Sequence, residues 1–98
     1  MRKIEPTRAA LADFDAIYDH IAKDNPRAAA DILRDLDRAV QRLVDQPKLG
    51  RIYRNRRQRF RLLVNGHFLI LYRERPGVIE LVRILDGRRN IPDILDEI

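Results

Sequence analysis

The groups with which this chain could do chemistry are two histidines, fifteen carboxylates and twenty cationic side chains. Only the cations are placed in a way that invites a role. His20 sits beside Tyr18 and Ile21 in a helical stretch and His67 follows a tight turn, and neither stands at a metal-ligand spacing. There is no cysteine, which removes thiolate nucleophiles, thiolate metal sites and disulfides. Asp15 and Asp19 are four residues apart, a spacing that lines one wet helix face and makes no acid–base pair. Gly50, Gly66, Gly77 and Gly87 each stand alone at a turn, so no glycine-rich phosphate loop exists. No residue is assigned as catalytic on these grounds, and no metal or cofactor is expected.

The arginines remain. Arg61 opens a strand, Arg83 interrupts a run of Val, Ile and Leu, and Arg88 and Arg89 follow an Asp86-Gly87 turn. A charge inside an apolar strand needs a partner, since burying it alone is costly. Two readings stay open. Arg83 pairs with a carboxylate such as Asp86 or reaches a sheet edge, or Arg61, Arg83 and Arg89 converge on one face and hold a phosphate or a partner's carboxylate. Charge is also divided along the chain. Glu5 to Gln46 carries nine acidic and six basic residues, whereas Arg51 to Arg75 has eight arginines against Glu74 alone. A field of that sign attracts nucleic acid or an acidic protein segment.

Composition says what must carry these groups. With 98 residues, 45% apolar and 36% charged, the chain is expected to form one soluble domain over residues 1–98. The start Met1-Arg2-Lys3-Ile4-Glu5-Pro6 has no apolar signal-like run, and no stretch is apolar for long enough to cross a bilayer, so a cytoplasmic protein is expected. Ala9 to Lys23 is an amphipathic helix with Leu11, Phe14, Ile17, Tyr18 and Ile21 on its apolar side, Asp13, Asp15 and Asp19 opposite, and Thr7 as N-cap. Asp24-Asn25-Pro26 stops it and caps a second helix through Asp45, whose apolar set is Ala29, Ile32, Leu33, Leu36, Val40 and Leu43. The short connection makes the two an antiparallel hairpin. Their solvent side is rich in aspartate, which argues against a DNA-reading helix-turn-helix.

The second half is β-rich. Arg2 to Pro6 is another strand, and Arg51 to Arg59 is a short basic strand followed by a loop. Phe60 to Val64 and His67 to Arg73 form a hairpin about Asn65-Gly66, read as a type I′ turn. Phe68 to Tyr72, apolar on both alternating faces, is a central strand covered on both sides. Pro76-Gly77 turns the chain into Val78 to Leu85, and Asn90-Ile91-Pro92 leads into a short closing helix. The fold class is α+β: an N-terminal strand, an antiparallel αα-hairpin packed on a three- to four-stranded twisted antiparallel sheet, and a C-terminal helix.

Those elements carry the segments D-F-D-A-I-Y-D-H-I-A-K-D-N-P-R-A-A, Q-P-K-L-G-R, F-R-L-L-V-N-G-H-F-L-I-L-Y-R and I-E-L-V-R-I-L-D-G-R-R-N-I-P-D-I-L in order. In sequence and spacing they resemble the RelE/ParE superfamily of toxins from bacterial type II toxin–antitoxin systems, most of all the ParE branch of plasmid-stabilisation proteins. Arg61, Gly66, Tyr72, Arg83, Gly87 and Arg89 fall on positions that recur in that pattern. Asp86 stands where a histidine is common, and His67-Phe68 where aromatic residues or arginine often follow the hairpin glycine. The resemblance implies a toxin that inhibits DNA gyrase without enzymatic chemistry and is neutralised by a cognate antitoxin. It makes Arg61, Arg83, Arg88 and Arg89 the candidates for target binding. Tyr18, Tyr53, Arg54 and Phe60 are the candidates for docking an acid-leaning, amphipathic antitoxin segment. One alternative is a RelE-like endoribonuclease that cuts messenger RNA on the ribosome, a branch in which a late tyrosine or histidine commonly contributes. After Gly87 this chain has neither. The other alternative is a non-toxic nucleic-acid-binding module.

Overall fold

A computed structural model describes residues 2–89 and 91–98. Asn90, expected to lead into the last helix, lies outside the described residues. The element order is β1 (Lys3–Pro6), α1 (Arg8–Ala22), α2 (Pro26–Asp45), β2 (Arg51–Arg54), β3 (Arg59–Asn65), β4 (Phe68–Arg75), β5 (Val78–Asp86) and α3 (Ile91–Asp96). Both long helices start where capping chemistry puts them. The Thr7 hydroxyl accepts from the Ala10 N–H at 3.0 Å and the Asn25 side chain from the Ala28 N–H at 3.1 Å, with Pro26 in the first turn of α2.

The sheet runs β1-β5-β4-β3-β2. Strands β2 to β5 form the expected antiparallel set, and β1 joins its far edge as a fifth strand, parallel to β5 with Lys3 opposite Val78 and Pro6 opposite Leu81. Strand β4 is the middle of the five, and Ile70, Leu71 and Tyr72 are wholly inaccessible to solvent. Two cores explain why. On one face Ala10 of α1 and Leu36, Ala39, Val40 and Leu43 of α2 pack on Ile70, Tyr72, Ile79, Leu81 and Ile84. On the other, Leu95 of α3, with Ile91, Ile94 and Ile98, covers Phe60, Leu62, Leu71, Val82 and Leu85.

Three local features differ from the sequence-based expectation. The β3–β4 turn lies one residue further on, at Gly66 and His67, because Asn65 already pairs with Phe68. Gly66 has φ +62° and no non-glycine residue has positive φ, so the loop has glycine first, as a type II′ turn requires, and is not type I′. On α1, Leu11 (51% exposed) and Tyr18 (38%) face solvent, leaving Ala10, Phe14 and Ile17 to pack inward. Asp13, assigned to the wet side, faces β5. The β4–β5 ladder shifts register between Leu71 and Tyr72, which pair with Arg83 and Leu81 and leave Val82 as the extra residue of a bulge.

Because Ile70 lies between α2 and the sheet with no accessible surface, Ile70→Ala is expected to cost about 2–5 kcal/mol in lost burial and cavity, out of about 5–15 for a typical domain. Chemical denaturation monitored by circular dichroism measures it, and an unchanged midpoint contradicts the central placement of β4.

Candidate functional site

The bulge at Val82 decides the fate of the most conspicuous arginine. Strict alternation would put Arg83 on the helix-facing side with Ile79 and Leu81. Val82 lies in the second core, as alternation from Leu81 requires, but the extra residue returns Ile84 to the first core and Leu85 to the second, and Arg83, opposite Leu71 of the second core, still reaches α1. There its Nε donates to Asp13 Oδ2 at 2.7 Å and its Nη2 to Asp13 Oδ1 at 2.9 Å, a bidentate pair whose side chains are 27% and 15% exposed. Asp13 Oδ2 also accepts from the Ile84 N–H at 2.9 Å. The hydrogen bonds from Arg83 to Asp13 raise the guanidinium pKa further, against the opposing effect of burial. The partner is therefore Asp13 of α1 and not Asp86.

Arg61 is also engaged in the fold. Its Nη1 donates to the Gly50 carbonyl at 2.8 Å, and beside it the Tyr72 hydroxyl donates to the Pro47 carbonyl at 2.8 Å and accepts from the Gly50 N–H at 2.8 Å. Burial pushes the Tyr72 phenol up from its ordinary pKa. A Cβ on Gly50 would lie 2.8 Å from the Tyr72 ring and hydroxyl and 2.9 Å from the Leu62 carbonyl, so only glycine lets the α2–β2 loop approach this closely.

Arg88 and Arg89 are exposed at the opposite end of β4 and β5. Asp86 accepts from the Arg88 Nε at 3.0 Å, its Nη2 at 2.8 Å and its backbone N–H at 3.0 Å. Those side-chain bonds first, and the backbone bond second, hold the Asp86 carboxyl down at about 2. The Arg89 N–H donates to the Asp86 carbonyl at 3.0 Å, and its side chain has no hydrogen-bond or ionic partner among the described residues. Both arginines edge a cleft of about 290 Å³ between α1 and β5, whose walls are Ala16, Ile17, Ile21 and Phe68 and whose rim also includes His20 and Asp86. An apolar floor with a cationic rim suits a partner presenting an apolar side chain next to a carboxylate or phosphate.

Arg61, Arg83 and Arg89 are consequently not brought together. Arg61 lies level with Tyr72, and Arg89 lies beyond Asp86, which is level with Phe68 four residues along β4. That separation is about 13 Å at strand rise, and Arg83 lies between them turned toward α1. Of the candidates for docking a partner segment, Arg54 is exposed, Tyr18 is 38% exposed and Tyr53 is half-buried against the second core. Phe60, at 2% exposure, lies in that core beneath the Arg73 guanidinium, 5.5 Å from its ring centroid, and offers a partner no surface.

Asp13 is the residue that sequence reasoning missed, since a helical wheel groups it with exposed Asp15 and Asp19. The only available signal was the unmatched charge of Arg83 seventy residues later. Removing Asp13 leaves Arg83 and the Ile84 N–H without their acceptor. Asp13→Ala is expected to destabilise the fold by about 2–3 kcal/mol in denaturant titration, whereas Asp15→Ala on the exposed side should stay within about 0.5. The Asp86 contact gives a pH-dependent prediction. Its folded pKa lies below the unfolded value of about 3.9, so its contribution is complete above about pH 4 and is lost as pH falls through 2. A carboxyl NMR titration should place the Asp86 midpoint near 2 and move it toward about 4 in Arg88→Ala; an unmoved midpoint excludes Arg88 as the cause.

The architecture has counterparts among known proteins. Residues 4–91 match the family model described as the ParE toxin of the type II toxin–antitoxin system parDE. A protein of Sinorhizobium fredii that carries a toxin name, Y4kP, is 31% identical over 94 residues, spanning 96% of this chain and 97% of its own length. A chain from the chromosomal ParDE toxin–antitoxin system of P. aeruginosa superposes with a TM-score of 0.72 at 30% identity, covering 86% of this chain and 94% of that one. With the N-terminal strand, helical hairpin and arginine-bearing sheet in place, the match across nearly the full length means that this chain belongs to the ParE toxin family of type II toxin–antitoxin systems.

Proposed function

We propose that this ParE-family toxin arrests growth by occupying DNA gyrase, not by cutting a nucleic acid, and that Arg88 and Arg89 are its main contacts. One observation carries the reading: Arg83, which a phosphate-gripping trio with Arg61 and Arg89 would need, is committed to Asp13. Transfer at a phosphodiester requires cations converged on one phosphate together with an acid and a base. Here the cations are dispersed, and no tyrosine or histidine follows Gly87. Binding to a large enzyme needs only a shaped, charged surface, and the cleft edged by Arg88 and Arg89 supplies one.

The P. aeruginosa counterpart comes from a two-part ParDE system, which supports a cognate antitoxin for this chain as well. An acid-leaning amphipathic segment would meet Leu11 and Tyr18 along the outer stripe of α1, with Arg54 as a charged contact on the sheet edge. Gyrase as target also implies that the toxin acts in the cytoplasm.

Expression of the chain alone should halt growth with gyrase-linked DNA breaks, and the purified protein should inhibit supercoiling. Arg88→Ala with Arg89→Ala should raise the half-inhibitory concentration by about tenfold or more, equivalent to about 1.4 kcal/mol of binding. Codon-positioned cleavage of transcripts on ribosomes would refute the proposal, and so would full inhibition by the double variant.

A further inference from the structure

A second cationic feature lies apart from the Arg88–Arg89 rim and is not needed by the gyrase reading. Between Asp45 and Glu74 the chain has no acidic residue, and Lys48, Arg51, Arg54, Arg56, Arg57, Arg59 and Arg61 all lie within that interval. None of the seven forms an ion pair among the described residues, although arginines elsewhere in the fold do: Arg2 with Glu74, Arg34 with Asp31, Arg73 with Glu80, Arg83 with Asp13 and Arg88 with Asp86.

The β2–β3 arm presents five of them, Arg51, Arg54, Arg56, Arg57 and Arg59, in solvent, and it is held in place by hydrogen bonds. The Asn55 side chain accepts from the Arg57 N–H at 2.9 Å and the Gln58 N–H at 2.7 Å, and donates to the Leu95 carbonyl at 3.0 Å, so the turn bearing Arg56 and Arg57 is tied to α3. Gln58 is hydrogen-bonded to Arg73, and Phe60 and Tyr53 anchor the arm in the second core. Within it Arg54 stands directly opposite Arg59 in the β2–β3 ladder, and both are exposed. Like charges at directly opposed positions repel. Arg59 and Arg61 then line, with Lys48 and Arg73 and with Glu74 as the one carboxylate, a hollow of about 310 Å³ on the flank of the sheet. A rigid arm that holds unpaired guanidinium groups against one another is stabilised by whatever brings a row of negative charges to it.

We infer that this arm binds the phosphodiester backbone of duplex DNA without reading its sequence. The apolar surface that a peptide would need is absent from the tip: from Arg54 to Arg59 every residue is polar, and exposed Leu49 and Ile52 lie at the base. Single strands are held by aromatic platforms, and here Phe60 is buried and Tyr53 half-buried. Backbone contact to a duplex requires neither, only guanidinium groups that displace condensed counterions.

Fluorescence anisotropy with a labelled duplex, read across a potassium chloride series, tests the inference on the purified chain. Five exposed arginines, 51, 54, 56, 57 and 59, set an upper slope of about −4.5 for log affinity against log salt, at about −0.9 per phosphate. Arg54→Gln with Arg59→Gln should make the slope shallower by about 1.8 and weaken every duplex sequence alike. The same double variant should melt no lower than wild type without DNA, because it removes a repulsion, and should gain less on adding DNA. Arg38→Gln with Arg42→Gln, exposed on α2, should leave the slope unchanged. A flat salt response, equal losses from both double variants, tighter binding of a single strand, or capture of a polyglutamate peptide in preference to the duplex would each overturn it. Gyrase inhibition is read separately, so loss of DNA binding with inhibition intact leaves the topoisomerase proposal standing.

Discussion

The fold depends on how the edge of β5 is closed. Strand β1 covers that edge only as far as Leu81, and a sheet edge left open there would expose unpaired backbone groups on the strand that carries much of both cores. The N-terminus of α1 takes over where β1 stops. The Thr7 N–H donates to the Leu81 carbonyl at 2.9 Å, its hydroxyl to the Val82 carbonyl at 2.7 Å, and Asp13 accepts from Ile84. Thr7 thus caps the helix and extends the sheet at once, which fixes α1 against β5 in position and angle. No buried side-chain polar atom among the described residues lacks a partner. Arg83 completes this closure by neutralising Asp13, which would otherwise place a half-desolvated carboxylate against an apolar strand.

Charge allocation follows from that requirement. The sheet uses Arg83 at one edge, Arg61 to hold the α2–β2 loop, and Arg73 to span Glu80, Gln58 and the Phe60 ring. These arginines are partly shielded and have fixed partners. Of the arginines left in solvent, some are spread over the helices at Arg8, Arg27, Arg34, Arg38 and Arg42, and others are grouped on the β2–β3 arm and at the turn after β5. A count of arginines therefore overstates the free cationic surface, since Arg83 is held by an acceptor and shielded within the fold, whereas Arg88 pairs with Asp86 in solvent.

Much of the architecture was legible in the sequence because local and global signals agreed. Thr7, Asn25 and Pro26 marked helix starts by capping chemistry, Pro76-Gly77 gives a turn in which Gly77 has φ +70°, and the doubly apolar run of β4 identified the middle strand. What was not legible required knowledge of tertiary placement. A one-residue bulge reverses the facing of every later side chain in β5, so alternation could not assign Arg83 a direction, and a helical wheel could not distinguish Asp13 from Asp15. The β3–β4 turn moved by one position for a related reason: Asn65 is more useful in the ladder, with its side chain donating to Asp35 of α2 at 3.1 Å, than in the loop.

The positions singled out by family resemblance lead to a further point about how such a scaffold can change targets. Arg61, Tyr72 and Gly50 form one knot that holds the α2–β2 loop, Arg83 closes the β5 edge, and Gly66 permits the tight turn. Gly87 donates to the His67 carbonyl at 2.6 Å, and a Cβ there would lie 3.0 Å from that oxygen, so it joins the last turn to the hairpin. Each answers a demand of the fold and none requires a particular partner. Arg89, the exception among these positions, and the exposed arginines 51, 54, 56, 57 and 59 of the β2–β3 arm have no ion pair within the described residues. The recurring positions other than Arg89 thus serve to close the sheet and hold its loops.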